Sequence, residues 1–277
     1  MSETLPPLRE VIDRYGLGAK KSLGQHFLLD LNMTRKIARA ASVNENDQVL
    51  EIGPGPGGLT RALLETGARV TAIERDQRCI EALADVTAAF DGRLKVIEAD
   101  ALTANEAEIL SARTPVKIVA NLPYNISTEL LIKWLKAGPA LWSVMALMFQ
   151  KEVADRILAA PGSKAYGRLS VIAQTASLPS RAFNLPARAF TPPPKVESTV
   201  VLFEQPKELF SALGALEKVT QAAFSQRRKM LRSSLKSVFG DSLAQALSAI
   251  GIEETRRAEE LSIDQFKALA LALSQNA

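Results

Sequence analysis

The stretch Val49-Leu-Glu-Ile-Gly-Pro-Gly-Pro-Gly-Gly-Leu59 decides the fold of this 277-residue chain. Its apolar start predicts a buried strand. Four glycines and two prolines follow within residues 53–58, and leucines then recur at helical spacing, at Leu59, Leu63 and Leu64. Strand, glycine-rich turn and helix form the first unit of a doubly wound α/β sheet, whose ligand binds at the carboxyl edge near the helix N-terminus.

Three further predicted strands each lead into a polar residue. Residues 69–73 run into Glu74, residues 94–97 precede Asp100, and residues 116–120 precede Asn121. Because the carboxyl ends of parallel strands meet at one edge of the sheet, these side chains are expected to lie close together. An acidic residue about 20 positions after the glycines, such as Glu74, is placed to accept the hydroxyls of a ribose.

The remaining pattern predicts more strands, several helices and a second domain. A fifth buried strand and two final strands are expected at residues 142–149, 181–183 and 198–203. Asp30 and Ser127 are candidate helix N-caps, and helices are expected at residues 8–15, 151–160 and 167–177. Beyond residue 206 only helical patterns remain, so we predict a Rossmann-like domain over residues 1–205 and a small helical domain over residues 206–277.

Composition excludes several classes of protein. The chain has one cysteine, Cys79, and one histidine, which excludes an internal disulfide and a zinc site of the usual kind. No apolar stretch reaches the ~18 residues of a membrane span, and the N-terminus lacks the apolar region of a signal peptide. We therefore expect a cytoplasmic protein without a metal and without a membrane partner.

Charge is unevenly distributed along the chain. The net charge is +4, but residues 42–113 carry −6 and residues 114–240 carry +10. The later half therefore suits a polyanionic partner, with a solvated basic face as the alternative.

The segment Asn121-Leu-Pro-Tyr124 indicates a specific chemistry. The exocyclic amine of adenine is a poor nucleophile because its lone pair is delocalised into the ring. Acceptors for its N–H groups, here the Asn121 side-chain oxygen and the Leu122 carbonyl, favour a nucleophilic nitrogen and offset the charge that develops on alkylation. Pro123 stiffens the turn, and Tyr124 offers a face for a flipped base. An ordinary polar turn is the alternative interpretation.

Five segments in order resemble the ribosomal RNA adenine N6-dimethyltransferase family, over nearly the whole chain. They are Lys21-Ser-Leu-Gly-Gln-His-Phe-Leu-Leu-Asp30, Glu51-Ile-Gly-Pro-Gly-Pro-Gly57, Asn121-Leu-Pro-Tyr-Asn-Ile-Ser127, Phe190-Thr-Pro-Pro-Pro-Lys-Val196 and Phe224-Ser-Gln-Arg-Arg-Lys-Met-Leu-Arg232. The resemblance implies an S-adenosylmethionine-dependent methyltransferase sheet of the Rossmann-like type with a small C-terminal all-helical domain.

The resemblance also implies roles for individual residues. Glu74 is expected at the ribose of S-adenosylmethionine and Asp100 at its adenine amine, while Tyr124 and Phe190 sandwich the target base. The full set of cofactor contacts carried over is His26, Leu28, Gly53, Gly55, Glu74, Asp100 and Asn121. The family usually has asparagine at the position of His26. A neutral imidazole at position 26 would replace part of the hydrogen bonding of that asparagine. The alternative is that the histidine only holds the N-terminal loop in place.

A basic run near the C-terminal domain is the candidate RNA-binding surface. On a continuous helix Arg228 and Arg232 would share one face, which suits the phosphates of ribosomal RNA. A solvated helix face is the alternative. The candidate residues are Arg227, Arg228, Lys229, Arg232 and Lys236, together with Lys195.

The function implied is dimethylation of N6 on two adjacent adenosines in the 3′-terminal hairpin of 16S rRNA, by a monomer that contributes to small-subunit biogenesis. Two alternatives stay open: a methyltransferase of large-subunit rRNA, and a ribosome-assembly factor for which methylation is secondary. Asn121 argues against a DNA adenine methyltransferase, since those enzymes tend to carry aspartate there.

Overall fold

The computed structural model describes residues 5–18, 26–110, 115–226 and 228–275 of the chain. Residues 21–25 of the first family motif and the candidate RNA-binding residue Arg227 lie outside these ranges. The chain forms two compact units. The first comprises Met1–Ala154 and Ser180–Glu204, and the second comprises Asp155–Pro179 and Gln205–Ala277.

The strands of the described residues form one large and one small sheet. Their bounds are β1 Phe27–Leu28, β2 Gln48–Ile52, β3 Arg69–Glu74, β4 Leu94–Glu98, β5 Val116–Ala120, β6 Trp142–Gln150, β7 Leu178–Leu185, β8 Phe190–Thr191 and β9 Ser198–Glu204. The large sheet has the order β4-β3-β2-β5-β6-β9-β7, and β1 pairs with β8 in a separate antiparallel ribbon.

The strand order reverses at β2. From β2 the chain moves outward through β3 and β4, then returns to place β5 and β6 on the other side. All of these pairings are parallel, whereas β9 runs antiparallel to β6. In such a sheet the ligand crevice lies at the carboxyl ends of the strands beside the reversal, here β2 and β5. The predicted α/β fold is therefore confirmed.

The helices expected at residues 8–15, 151–160 and 167–177 are present among the described helices, the second of them ending at Ile157. Their bounds are α1 Leu8–Arg14, α2 Leu31–Ala40, α3 Gly58–Glu65, α4 Gln77–Ala82, α5 Ala84–Ala89, α6 Glu106–Leu110, α7 Ser127–Ala137, α8 Lys151–Ile157, α9 Arg168–Ala176, α10 Leu213–Ser225, α11 Leu231–Ser234, α12 Lys236–Phe239, α13 Leu243–Ile250 and α14 Ile263–Gln275. None of them is both long enough and apolar enough to cross a membrane.

Of the two predicted helix N-caps, the structure shows one, Asp30, in that role. The Asp30 side chain accepts a hydrogen bond from the Asn32 amide at 2.8 Å, which satisfies one of the free N–H groups at the start of α2. Ser127 is instead the first residue of α7, and its hydroxyl donates back to the Tyr124 carbonyl at 3.1 Å. The serine therefore holds the turn that precedes the helix rather than capping the helix.

The glycine turn brings β1 onto the start of α3. A side-chain Cβ at Gly58 would lie 2.6 Å from the Leu28 carbonyl oxygen, so only glycine allows this close approach. The helix then buries its leucines in a core formed with α2, β2 and β3. Packing of this kind fixes the strand, the turn and the N-terminal segment against one another.

The second unit has its own hydrophobic core. Tyr166 and Val171 are fully buried there with residues of α10, α13 and α14, and the Tyr166 hydroxyl donates to the Leu261 carbonyl at 3.0 Å. The sequence placed all residues up to 205 in the first domain, and the structure differs by grouping Asp155–Pro179 with the C-terminal helices. The reason is this core, which residues before and after β9 build together.

Candidate active site

A cavity of the first unit lies at the carboxyl ends of β2, β3 and β5. It gathers the glycine turn, the polar residues that follow the strands and the Asn-Leu-Pro-Tyr segment. The predicted residues that line it are His26, Leu28, Gly53, Gly55, Glu74, Asp100, Asn121, Leu122, Pro123 and Tyr124. The prediction that these segments meet at one sheet edge is confirmed.

Glu74 is held in place by backbone hydrogen bonds. One carboxylate oxygen accepts from the Gly55 N–H at 3.2 Å, and the other accepts from the amides of Arg75 and Asp76 at 2.7 and 2.8 Å. The side chain is 8% exposed. Burial raises its pKa, and the three backbone donors oppose that effect. Its orientation is therefore set before any ligand binds.

Gly55 explains why the turn needs glycine at this point. Its φ is +54°, and a Cβ would approach the Phe27 ring to 3.0 Å while its amide is engaged by Glu74. The same residue thus contacts β1 and the acidic side chain that follows β3. Its neighbour Gly53 faces the Pro123 ring, which lies 3.7 Å from the position of a Cβ. The turn and the Asn-Leu-Pro-Tyr segment are therefore in direct contact.

Asp100 lies at the end of the cavity beyond β4. One of its oxygens accepts from the Leu102 amide at 3.0 Å, and the other pairs with the Arg75 guanidinium at 3.0 Å. Arg75 is largely exposed. The ion pair is therefore easily exchanged for another donor at this carboxylate.

Glu51 is a residue of the cavity that the sequence reasoning did not single out. It is 1% exposed, and its Oε2 atom has no hydrogen-bond partner among the described residues. Burial raises its pKa to about 8; the Thr60 hydroxyl works against this and the charge of Glu74 adds to it. Thr60 Oγ1 also lacks a hydrogen-bond partner by geometry, so burial is the decisive cause. The sequence feature that could have identified Glu51 is an acidic residue within the apolar run that precedes the glycines.

Asn121 is oriented by a backbone contact. Its side-chain Nδ2 donates to the His26 carbonyl at 3.1 Å. This leaves the Oδ1 atom as the free acceptor of the amide. Leu122 is buried beside it and also lines the cavity. The arrangement provides an acceptor for the N–H groups of an exocyclic amine.

Tyr124 and His26 form an aromatic pair at the cavity. Their ring centroids are 5.5 Å apart with an interplanar angle of 32°. The Tyr124 hydroxyl is hydrogen-bonded to Ser198 Oγ at 2.6 Å. Burial raises the pKa of Tyr124, and the contact with Ser198 lowers it. The His26 Nδ1 atom lies 2.8 Å from the Pro192 carbonyl and therefore carries the proton of this hydrogen bond.

Phe190 has a different position from the other predicted residues. It is 2% exposed, belongs to the hydrophobic core of the first unit and pairs with Leu28 across the β1–β8 ribbon. It is not among the residues that line the cavity. The ring beside Tyr124 in the described structure is that of His26, so a sandwich of Tyr124 and Phe190 around a base stays a prediction.

The basic run does not form the continuous helix that the sequence suggested. Arg228 and Lys229 follow the end of α10, whereas Arg232 lies in α11 and Lys236 in α12. Backbone hydrogen bonds from residues 231 and 232 to the carbonyls of 256 and 254 interrupt the helix. The prediction that Arg228 and Arg232 share a helix face is therefore wrong. All four side chains are exposed, as is Lys195 in the first unit.

The described residues contain no group of three or more histidine, cysteine, aspartate or glutamate side chains that could hold a metal ion. Cys79 is buried in α4.

The sheet and its cavity define a Rossmann-like S-adenosylmethionine-dependent methyltransferase. The residues present fit this cofactor, because backbone hydrogen bonds hold Glu74 ready to accept ribose hydroxyls at the sheet edge. The family model for ribosomal RNA adenine dimethylase matches residues 16–275. The chain belongs to this family.

Individual relatives agree with this assignment. A protein named ribosomal RNA small subunit methyltransferase A from Xanthobacter autotrophicus is 58% identical over 99% of this chain and 96% of its own length. One of the same name from Agrobacterium fabrum is 54% identical over 97% of this chain and 98% of its own.

Among solved structures, a dimethyladenosine transferase from Plasmodium falciparum is 27% identical, with a TM-score of 0.75 over 90% of this chain and 98% of its own. The 23S rRNA methyltransferase ErmE is 25% identical, with a TM-score of 0.68 over 90% of this chain and all of its own.

Proposed function

We propose that the protein transfers methyl groups from S-adenosylmethionine to N6 of two adjacent adenosines in the 3′-terminal hairpin of 16S rRNA, giving N6,N6-dimethyladenosines. It acts in the cytoplasm as a monomer during small-subunit biogenesis. The single observation that carries the proposal is the oriented Asn121 amide, whose free acceptor lies in the same cavity as Glu74 and Gly55. The relatives named for the small subunit favour it over the large subunit.

Bound S-adenosylmethionine supplies an electrophilic methyl group on its sulfonium. Glu74 and the glycine turn would hold that cofactor at the sheet edge. Asn121 Oδ1 and the Leu122 carbonyl accept the two N–H groups of the target amine, which localises its lone pair and stabilises the positive charge that develops there. Tyr124 supplies the stacking face for the base. The proton of the alkylated amine leaves to solvent, so this site needs no general base.

The second unit supplies RNA contacts in this proposal. Exposed Arg228, Lys229, Arg232 and Lys236 are suited to phosphates, as is Lys195. Such contacts set affinity and position, while the cavity selects the base. Arg227 belongs to the same proposal from its sequence alone.

The test is methyl transfer from labelled S-adenosylmethionine to small subunits that lack the dimethyladenosines, with large subunits and duplex DNA alongside. We expect label on the small subunit alone, recovered as N6,N6-dimethyladenosine. Asn121→Ala should lower the rate by roughly 100-fold or more, since loss of one preorganised group at a developing charge costs about 10²–10³ in rate. Asn46→Ala, in an exposed turn, is the matched control.

Other outcomes separate the alternatives. Label on large subunits would move the assignment to that substrate. An Asn121→Ala variant that methylates normally would remove the amide from the chemistry. A wild-type protein that binds immature small subunits but labels none would favour the assembly-factor function.

A further inference from the structure

We infer that a second cavity of the first unit binds the phosphate backbone of the RNA substrate through Arg9, Arg61 and Arg188. This inference rests on the function proposed above. The cavity, called here the arginine groove, shares no residue with the active-site cavity. Its lining residues are the segments 5–9, 29–31 and 188–189, with Met33, Arg61, Glu65, Pro186 and Thr191.

Arg61 is a buried cation with few partners. Its side chain is 5% exposed, its Nη1 donates to the Pro6 carbonyl at 2.7 Å, and its Nε has no partner among the described residues. A guanidinium carries five N–H donors, and among the described residues one of those of Arg61, at Nε, is buried without an acceptor. Burying a charge without full pairing is unfavourable. Burial accordingly lowers the pKa of Arg61, while the charges of Asp85 and Glu65 raise it. An anion in the groove would supply acceptors to the part of the guanidinium that lines it.

The carboxylates of the groove are already engaged. Asp30 accepts the Asn32 amide at the start of α2. Glu65 is bound by both arms of Arg35, with nitrogen–oxygen distances of 2.7 and 3.0 Å.

The other two arginines remain available. Arg9 and Arg188 are exposed, and within the described ranges neither makes an ion pair or a side-chain hydrogen bond. The groove therefore presents two exposed arginines without a carboxylate partner among the described residues, beside Arg61, whose charge is partly offset by Asp85 and Glu65. This charge pattern complements a polyanion, and arginine forks match the geometry of phosphate oxygens.

The position of the groove identifies the polyanion as the RNA strand that delivers the target base. The β1–β8 ribbon joins both cavities: Phe27 and Leu28 line the active site, while Thr191, the partner of Phe27, lines the groove. A base that enters the active site leaves its sugar–phosphate backbone outside it. Phosphates next to that nucleotide would then lie along the ribbon and reach the arginines, which fix the register of the strand without reading its sequence.

The test compares Arg9→Ala/Arg188→Ala with a double variant of equal charge, Arg69→Ala/Lys95→Ala. The control residues are exposed on β3 and β4, outside both cavities. Transfer to unmethylated small subunits is measured across a series of KCl concentrations. We expect kcat at saturating subunit to stay within about twofold, and kcat/KM to fall about tenfold. The slope of log kcat/KM against log salt should flatten by roughly 1.4, at about 0.7 for each single-strand phosphate contact. The control should match the wild type.

Binding of a fluorescein-labelled single-stranded RNA oligonucleotide is measured in parallel. This binding measurement tests the groove even if the wild-type protein transfers no label to any subunit. Absence of label would refute the proposed function and would leave the test of the groove intact. Unchanged oligonucleotide affinity in the arginine variant, or an unchanged salt slope, overturns the inference. A loss of subunit binding with normal oligonucleotide binding also overturns it, because the groove would then contact a protein.

Discussion

Replacing Glu51 by glutamine should reduce the loss of stability of the first unit between pH 5 and 8. Burial raises the pKa of this carboxyl from 4.5 to about 8. Above pH 4.5 the unfolded chain loses this proton while the folded chain keeps it. The folded state therefore binds more protons, and its stability falls as pH rises until the folded group also ionises.

The size of the change in stability follows from the difference between the unfolded and folded pKa values of Glu51. Each pH unit within the window changes the free energy of unfolding by about 1.4 kcal/mol for one proton. Between pH 5 and 8 the wild type should therefore lose about 3–4 kcal/mol more than Glu51→Gln. Glutamine keeps the shape of the side chain and does not titrate.

Tryptophan fluorescence during urea unfolding measures this unit by itself. The two tryptophans of the chain, Trp134 and Trp142, are both fully buried and both belong to the first unit. The exposed helical residue Glu81 provides the control, and Glu81→Gln should follow the wild-type pH profile. If the wild type and Glu51→Gln lose stability in parallel from pH 5 to 8, the carboxyl is not held protonated and the reasoning fails.

Two further predictions concern the cavity. Gly55→Ala should weaken binding of S-adenosylhomocysteine, measured by calorimetry, about tenfold or more, because a Cβ at φ +54° meets Phe27 at 3.0 Å. The control is Gly92→Ala, at φ +70° with open space around the Cβ, which carries similar backbone strain of ~1–2 kcal/mol. This control should bind S-adenosylhomocysteine normally. Tyr124→Phe loses the Ser198 hydrogen bond but keeps the stacking face, so its kcat/KM should fall less than tenfold, whereas Tyr124→Ala should lose about 100-fold or more. Equal losses in the two tyrosine variants would refute the stacking role.

The sheet edge could be predicted from sequence because it depends on local signals. Each parallel strand is a short apolar run with a polar residue just after it, and parallel strands align those ends without further information. Glu74, Asp100 and Asn121 therefore gather in one cavity as expected. The family resemblance added the residues of the N-terminal loop, which no periodicity indicates.

Features that depend on distant contacts could not be predicted in this way. Phe190 is in the core because β8 pairs with β1, an association across more than 160 residues. The basic run is broken because its backbone bonds to residues near 254–257 instead of continuing a helix. Both cases show tertiary hydrogen bonding overriding a local pattern.

His26 shows how a departure from the family pattern can keep the geometry of the site. Asn121 is held by the backbone carbonyl of residue 26, so that contact does not depend on which side chain stands there. The side chain of His26 instead donates from Nδ1 to the Pro192 carbonyl. The amide of an asparagine is also a donor of this kind. Histidine therefore preserves both the orientation of Asn121 and a donor for Pro192, and adds a ring beside Tyr124. The contact with the cofactor that the resemblance assigns to position 26 stays a prediction, because the structure directs the Nδ1 donor of His26 to the Pro192 carbonyl.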